Sequence, residues 1–241
     1  MGSHDFAAGT YTASPAAVTE LTDLIARFVP EDRALRLLEI GCGTGELLCG
    51  LASILPLTTM TGIDISPGNI EQARQRAQEA GMEQHLQFRA GDYLSSLFEE
   101  HDVIISVSTL HLIDQPTERI LGKVVEGLAP GGLFIFTMPD NSLFNHALWL
   151  LRRFFRLIRS PWLDRVVLRV ATKLHGSDLR ESLLRERIEY MYLLPFRYLG
   201  PGLRRDLRGR FGRGPLADLP LPHVSLAQPR HRFCVYQRGV S

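Results

Sequence analysis

Cysteine is scarce in this chain, and the little there is does not pair. The 241 residues contain three, Cys42, Cys49 and Cys234. An odd count with no C-x-x-C spacing supports neither a disulfide framework nor a thiolate zinc site; a reducing cytoplasm fits that usage. Long apolar runs are missing too. No stretch reaches about 18 uncharged apolar residues, so no transmembrane helix is expected, and the N-terminus lacks the basic-then-apolar order of a secretory signal. There is no internal repeat and no low-complexity segment. Apolar residues make up 45% and charged residues 22%, which excludes disordered and collagen-like chains. The length allows one ample α/β domain with an insertion.

Acidic residues are short in one part only. Residues 1–149 hold 8 Lys+Arg against 19 Asp+Glu, whereas residues 150–241 hold 19 against 7. Lysine is nearly absent from the second part, where every basic residue but Lys173 is arginine. The asymmetry suits a second part that meets an anion or docks on the acidic first part, and equally an arginine-rich face in water.

What is present in the first 140 residues is an alternation of two periods. Short apolar runs at Leu35–Ile40, Thr59–Ile63, Leu86–Phe88, Val103–Val107 and Leu133–Thr137 are separated by helical stretches at Glu46–Leu55, Pro67–Ala80 and Pro116–Leu128. Strands alternating with helices imply right-handed βαβ crossovers and a parallel, doubly wound α/β sheet. Ser66 ahead of Pro67 predicts a helix start, and Gly81 a helix stop. An earlier helix is expected over Pro15–Phe28, behind a short arm. Beyond Pro139, arginine-studded helices are expected over 143–159 and 162–174, a third over 178–192 and a short basic one over 200–211. A terminal hairpin of Val224–Gln228 and Arg232–Arg238 closes the chain.

The most informative segment is Leu37-Leu38-Glu39-Ile40-Gly41-Cys42-Gly43-Thr44-Gly45-Glu46. A strand runs into glycines and a helix begins at once, so the backbone can approach a ligand where a Cβ would collide. The helix start offers unpaired N–H groups. A dinucleotide fingerprint needs glycine at position 46, where glutamate stands, and no Gly-Lys-Ser/Thr follows for a P-loop. Asp64, in Gly62-Ile63-Asp64-Ile65-Ser66, ends the second strand 19 residues after Gly45. An acid there can accept both hydroxyls of a ribose. Three further segments follow: Ala90-Gly91-Asp92-Tyr93, then Asp102 through Ile113, then Leu128-Ala129-Pro130-Gly131-Gly132 turning into an apolar strand.

These five segments, in this order over about residues 35–140, resemble the class I, Rossmann-like S-adenosylmethionine methyltransferases. The resemblance implies a mostly parallel seven-stranded sheet with an antiparallel last strand and a helical cap inserted after the fifth strand. It divides the chain into an arm and helix (1–30), a cofactor-binding core (31–139), a helical cap or substrate insert (140–200) and a C-terminal helix with hairpin (201–241). It also implies S-adenosyl-L-methionine as cofactor, with S-adenosyl-L-homocysteine as product. Gly41, Cys42, Gly43 and Gly45 would underlie its methionine part, with Glu39 near the ammonium. Asp64 would take the ribose and Asp92 the adenine, with Tyr93 or its neighbours covering the ring. Ile65, Asn69, Gly91, Ser106 and Val107 complete the implied site, Ser106 through its backbone.

The reaction asks little of the protein: the cofactor's methyl is already activated, so alignment, exclusion of water and, for a hydroxyl acceptor, removal of a proton remain. His111, just past the fourth strand, is a candidate base or a packing residue, and Tyr11 of the arm a second catalytic candidate. The insert has three readings. Leu148, Trp149, Leu151, Phe155 and Ile158 could line a pocket for a lipophilic or aromatic small molecule, O-methylated first and C- or N-methylated otherwise. Residues 145–174, with Arg152, Arg156 and Arg159 on one face, could instead touch a membrane surface, or the insert could simply pack on the core. Nothing resembles a nucleic-acid-binding module, and the Asn/Asp-Pro-Pro-aromatic stretch typical of base-amino methyltransferases is absent. Two rival functions share the fold: a rearrangement or cyclisation without methyl transfer, and a cofactor-holding partner protein without catalysis.

Overall fold

A computed structural model of the chain describes residues 15–175, 194–222 and 228–240. In these residues seven strands form one sheet in the order β3-β2-β1-β4-β5-β7-β6. The strands are β1 (Arg36–Ile40), β2 (Thr59–Asp64), β3 (Leu86–Ala90), β4 (His101–Val107), β5 (Leu128–Pro139), β6 (Ala217–Pro220) and β7 (His231–Gln237). All neighbours among β1–β5 are parallel, and β7 is antiparallel to both β5 and β6. The order reverses between β1 and β4, the point where an open α/β sheet leaves a crevice at its carboxyl edge.

The helices are α1 (Pro15–Ala26), α2 (Glu46–Ile54), α3 (Pro67–Glu79), α4 (Thr117–Gly127), α5 (Leu143–Leu157), α6 (Pro161–His175) and α7 (Pro201–Phe211). Alternation along the central strands sends neighbours to opposite faces. Leu37, Val103, Ile105, Ile135, Phe233 and Val235 join Ile25, Leu48, Leu51 and Ala73 of α1, α2 and α3 in one core. Leu38, Ile104, Phe134, Phe136, Cys234 and Tyr236 join Ile120, Val124, Leu207 and Phe211 of α4 and α7 in the other. With both faces covered, the central strands read as continuous apolar runs. Ser66 caps α3 as its sequence predicts, its Oγ accepting from the Asn69 backbone N–H at 3.3 Å.

Two expectations are corrected. The Pro130-Gly131-Gly132 segment does not precede β5 but is absorbed into it as a bulge. The register jumps from His101/Leu128 to Val103/Leu133, and Gly131 takes a positive φ of 76°. The partner of the last strand is not Val224–Gln228; residues 223–227 lie outside the described part, and the strand beside β7 is β6, seven residues earlier. Leu216 N–H donates to Val235 O and Leu221 N–H to His231 O, closing the ladder at both ends. Pro215 just ahead of it and Pro220 at its end disguise this strand in the sequence, yet an edge strand tolerates them. Asp218 holds it, pairing with both Arg204 of α7 and Arg232 of β7. The helix expected over 178–192 lies outside the described residues.

Candidate active site

The turn from β1 into α2 carries three positive φ angles, at Gly41 (73°), Gly43 (54°) and Gly45 (79°). Gly41 has no room for a side chain, because Thr109, from the loop after β4, fills the space where a Cβ would stand. The loop is fixed from below by Asp64. Its Oδ2 accepts from Gly43 N–H at 3.0 Å, and its Oδ1 accepts from Ser66 N–H at 2.9 Å and Asn69 Nδ2 at 3.0 Å. Asp64 therefore ties the first and second turns together at the sheet edge. Asn69 is buried, with its amide spent on that tie, so it positions Asp64 rather than facing a ligand. Cys42 turns inward over Gly62, where a Cβ would meet its Sγ at 2.7 Å, leaving only its backbone at the loop.

Glu39 is the decisive side chain of this turn. It is buried in β1, and its Oε2 has no hydrogen-bond partner. Burial first, then the carboxylates of Asp64 and Glu46, push its pKa up to about 8. Glu46, at the start of α2, is offset by Arg76 of α3 at 3.1 Å. A buried, orphaned acid with acid neighbours awaits a cation. A polyanionic pyrophosphate fits such a turn poorly, whereas the ammonium of a methionine-bearing cofactor matches it.

The third and fourth loops complete the edge. Asp92 is exposed at the rim and its Oδ1 accepts from Leu94 N–H at 3.0 Å. Gly91 precedes it with φ 155°. Ile65 is exposed beside Asp64. Tyr93 does not cover the site. Its ring is buried on the α4 side of the sheet, stacked on Phe98 with centroids 6.0 Å apart, because Leu94 and Tyr93 both supply the apolar core there. Ser106 is fully buried, its Oγ donating to Ile40 O at 3.3 Å, with Val107 half-buried after it. Ser108 next adopts a left-handed φ of 53°, uncommon for a non-glycine residue and typical of functional turns. Its N–H donates to Thr137 Oγ1 at 2.9 Å. Ser108, Thr109 and Thr137 carry no sequence signal of their own.

Beyond this turn lies His111, buried, with its backbone carbonyl accepting from Phe196 N–H at 2.8 Å. Its ring meets His231 of β7 edge-on, centroids 5.6 Å apart. His111 Nδ1 and His231 Nε2 are both buried with no hydrogen-bond partner, while His231 Nδ1 pairs with Pro229 O at 3.0 Å. Burial chiefly, then His231, Arg152 and Arg197, hold the His111 pKa well below its ordinary value. Burial, with Arg152 opposing a raising effect of Pro229 O and Asp140, holds His231 down at about 4. The Tyr11 candidate lies outside the described residues.

The orientation of α5 is set by Asn145. Its Nδ2 donates to Asp140 Oδ1 (2.7 Å) and Arg230 O (2.9 Å), and its Oδ1 accepts from Arg230 N–H at 2.8 Å. This buried amide pins the helix to the ends of β5 and β7. Seven and eleven residues later the same face returns, so Arg152 and Arg156 point inward and are half-buried, with Arg152 Nε out of solvent. Of the residues expected to line an apolar pocket, Leu151 and Ile158 are exposed, whereas Leu148, Trp149 and Phe155 are half-buried, and the polar face of α5 turns toward His111, His231 and Tyr198.

Because His231 titrates near 4 in the fold and an unfolded histidine near 6.5, the folded state refuses a proton that the unfolded chain accepts. Its contribution to stability is complete above pH 6.5 and is lost as the pH falls toward 4, on the order of 3 kcal/mol at the lower limit. Urea midpoints measured from pH 7 to 4.5 should fall, and His231→Gln should make that fall shallower; an unchanged slope would contradict the assignment.

The comparisons with known proteins agree with this geometry. The sequence matches the family described as "Methyltransferase domain" over residues 31–160, more than half of the chain. The chain belongs to this methyltransferase family. It is 35% identical over 123 residues to a trans-aconitate 2-methyltransferase from Streptomyces coelicolor, covering 50% of this chain and 40% of that protein. It is 32% identical over 141 residues to a malonyl-[acyl-carrier protein] O-methyltransferase from Chlorobium luteolum, covering 56% and 51%. The chain thus spans about half the length of these curated relatives or less. Among solved structures, magnesium protoporphyrin IX methyltransferase from Synechocystis, with bound S-adenosylhomocysteine, superposes with a TM-score of 0.62 at 16% identity over 96% of this chain and 90% of that one. That likeness establishes the class I methyltransferase fold. The family's cofactor is S-adenosylmethionine, and the orphaned Glu39 and the glycine cradle fit it. Among the described residues no helix is long and apolar enough to cross a membrane, and no cluster could hold a metal ion.

Proposed function

We propose that this methyltransferase-family chain transfers a methyl group from S-adenosylmethionine to an oxygen of a small acceptor that carries a carboxylate. The observation that carries the acceptor class is the inward polar face of α5, which sets the Arg152 guanidinium beside the buried His111–His231 pair. Two relatives named for trans-aconitate and malonyl-[acyl-carrier protein] are consistent with it. When bound, the cofactor supplies a methyl already activated on a sulfonium sulfur. Glu39 would hold its ammonium, the backbone at Gly41, Gly43 and Gly45 its methionine part, Asp64 the ribose and Asp92 the adenine. Ile65, Gly91 and the backbone of Ser106 and Val107 would border it.

The acceptor side follows from the charge of the groups present. A carboxylate is deprotonated at neutral pH, so its methylation needs no base. This suits His111, whose burial beside two arginines keeps it neutral and makes it a poor store for a proton. The unpartnered Nδ1 of His111 would instead donate a hydrogen bond to an oxygen of the acceptor while Arg152 neutralises its charge; His231, its one ring proton given to Pro229 O, packs beside it. Product mass tests the activity itself. A gain of one CH₂ with one equivalent of S-adenosylhomocysteine is expected; a product of unchanged mass with the cofactor intact would show a rearrangement instead, and no turnover of any acid would leave a binding protein.

A further inference from the structure

With its polar face fixed inward by Asn145, α5 shows its apolar face to solvent. At about 100° per residue, Leu143, Leu150, Phe154 and Leu157 fall within an arc of about 60°, flanked by Ala147, Leu151 and Ile158. Leu143 is 89% exposed, Leu157 79%, Phe154 55%, and Trp162 at the head of α6 65%. Scattered apolar side chains are ordinary on a protein surface, but a continuous row along four helical turns is not.

The charge beside this row is of one sign. Residues 143–175 contain six arginines and one lysine against a single acid, Asp164. Arg153 lies over the Trp149 ring at 5.3 Å, Arg159 pairs with Asp164, and Arg165 and Arg169 stand on the exposed side of α6. An apolar row edged by cations and tryptophan matches the boundary between lipid phosphates and acyl chains. A second copy of the chain would match the apolar row but bring two sets of arginines face to face, where like charges repel.

We propose that α5 and the start of α6 lie on the surface of an anionic lipid bilayer. Leu143, Leu150, Phe154, Leu157 and Trp162 enter the headgroup–acyl boundary, and Arg153, Arg165 and Arg169 meet the phosphates. The docking uses the face of α5 opposite Arg152, so it stands independently of the proposed acceptor.

The test is sedimentation of the full-length protein with vesicles of phosphatidylcholine alone, and of phosphatidylcholine mixed with phosphatidylglycerol. The expected result is pelleting with the mixed vesicles, weakened by salt, and little with the neutral ones. Changing Leu150→Glu and Leu157→Glu together should lower the affinity about a hundredfold or more, with far-ultraviolet circular dichroism and S-adenosylhomocysteine binding unchanged. Changing Arg165→Ser and Arg169→Ser, which leaves the apolar row intact, should lower it about tenfold or more. The proposal is overturned by no binding to the mixed vesicles or by equal binding to both kinds. It is also overturned by a dimer, seen in light scattering, that the Leu150 and Leu157 changes dissociate.

Discussion

Replacing Arg152 by methionine is expected to lower kcat/KM for the carboxylate acceptor by about 30- to 5,000-fold, while S-adenosylhomocysteine affinity changes by no more than about twofold. The range follows from the cost of removing one member of a buried, hydrogen-bonded charge pair, about 2–5 kcal/mol, at tenfold per 1.36 kcal/mol. The neutral primary amide of the same acid, if it is turned over at all, should lose little, since it brings no charge to be neutralised. Arg152→Lys should fall between, keeping the charge and losing the planar fork. Steady-state kinetics with the acid and its amide provide the comparison. Equal losses on both would mean that Arg152 only holds α5 in place.

The second large effect concerns Glu39. Within the fold its pKa stands near 8, so at pH 7 the acid is mostly protonated; against an ammonium it should ionise. Cofactor binding should therefore release close to one proton at pH 7, and affinity should rise between pH 6 and 7.5. Calorimetry of S-adenosylhomocysteine binding in two buffers of different ionisation enthalpy measures that proton. Glu39→Gln should abolish the release and weaken binding by about a hundredfold at pH 7.5, the cost of losing a buried charge pair. The linkage has a counterpart in stability. The raised pKa favours the fold fully below about 4.5 and loses that contribution as the pH rises through about 8, opposite in sign to His231. A binding event that neither takes up nor releases a proton would contradict the placement of Glu39.

Much of the turn geometry at the carboxyl edge of the sheet was legible because its signals are local. Glycines at a strand-to-helix turn, an acid at the end of the next strand and a Ser-Pro helix start each act through neighbouring backbone. The same locality explains what was misread. Tyr93 follows a rim aspartate in the sequence, but its ring is drawn into the α4 core. Asn69 precedes nothing diagnostic, yet its amide is consumed by Asp64. Ser108 and Thr109 carry a strained φ and the filling of the Gly41 turn, and neither leaves a pattern in the chain.

The inward face of α5 was less legible because it depends on distant ties. The period of apolar residues in α5 reveals an amphipathic helix but not which face turns inward. That choice is made by Asn145 binding Arg230, 85 residues away. It reverses the expectation, placing Arg152 inside and Leu151 and Ile158 outside. His231 reaches His111 only because β7 runs antiparallel beside β5, setting His231 opposite Pro139. The pair has no motif. β6 was hidden by prolines that only an edge position accommodates.

The central claim is methyl transfer to a carboxylate oxygen. It is tested most directly by incubating the pure protein with methyl-labelled S-adenosylmethionine and a panel of small organic acids, then treating the products with mild base. A methyl ester gives up its methyl as methanol under these conditions, so label released as volatile methanol is the predicted result. Label that is transferred but stays fixed through base treatment would place the methyl on nitrogen, carbon or an ether oxygen and contradict the account.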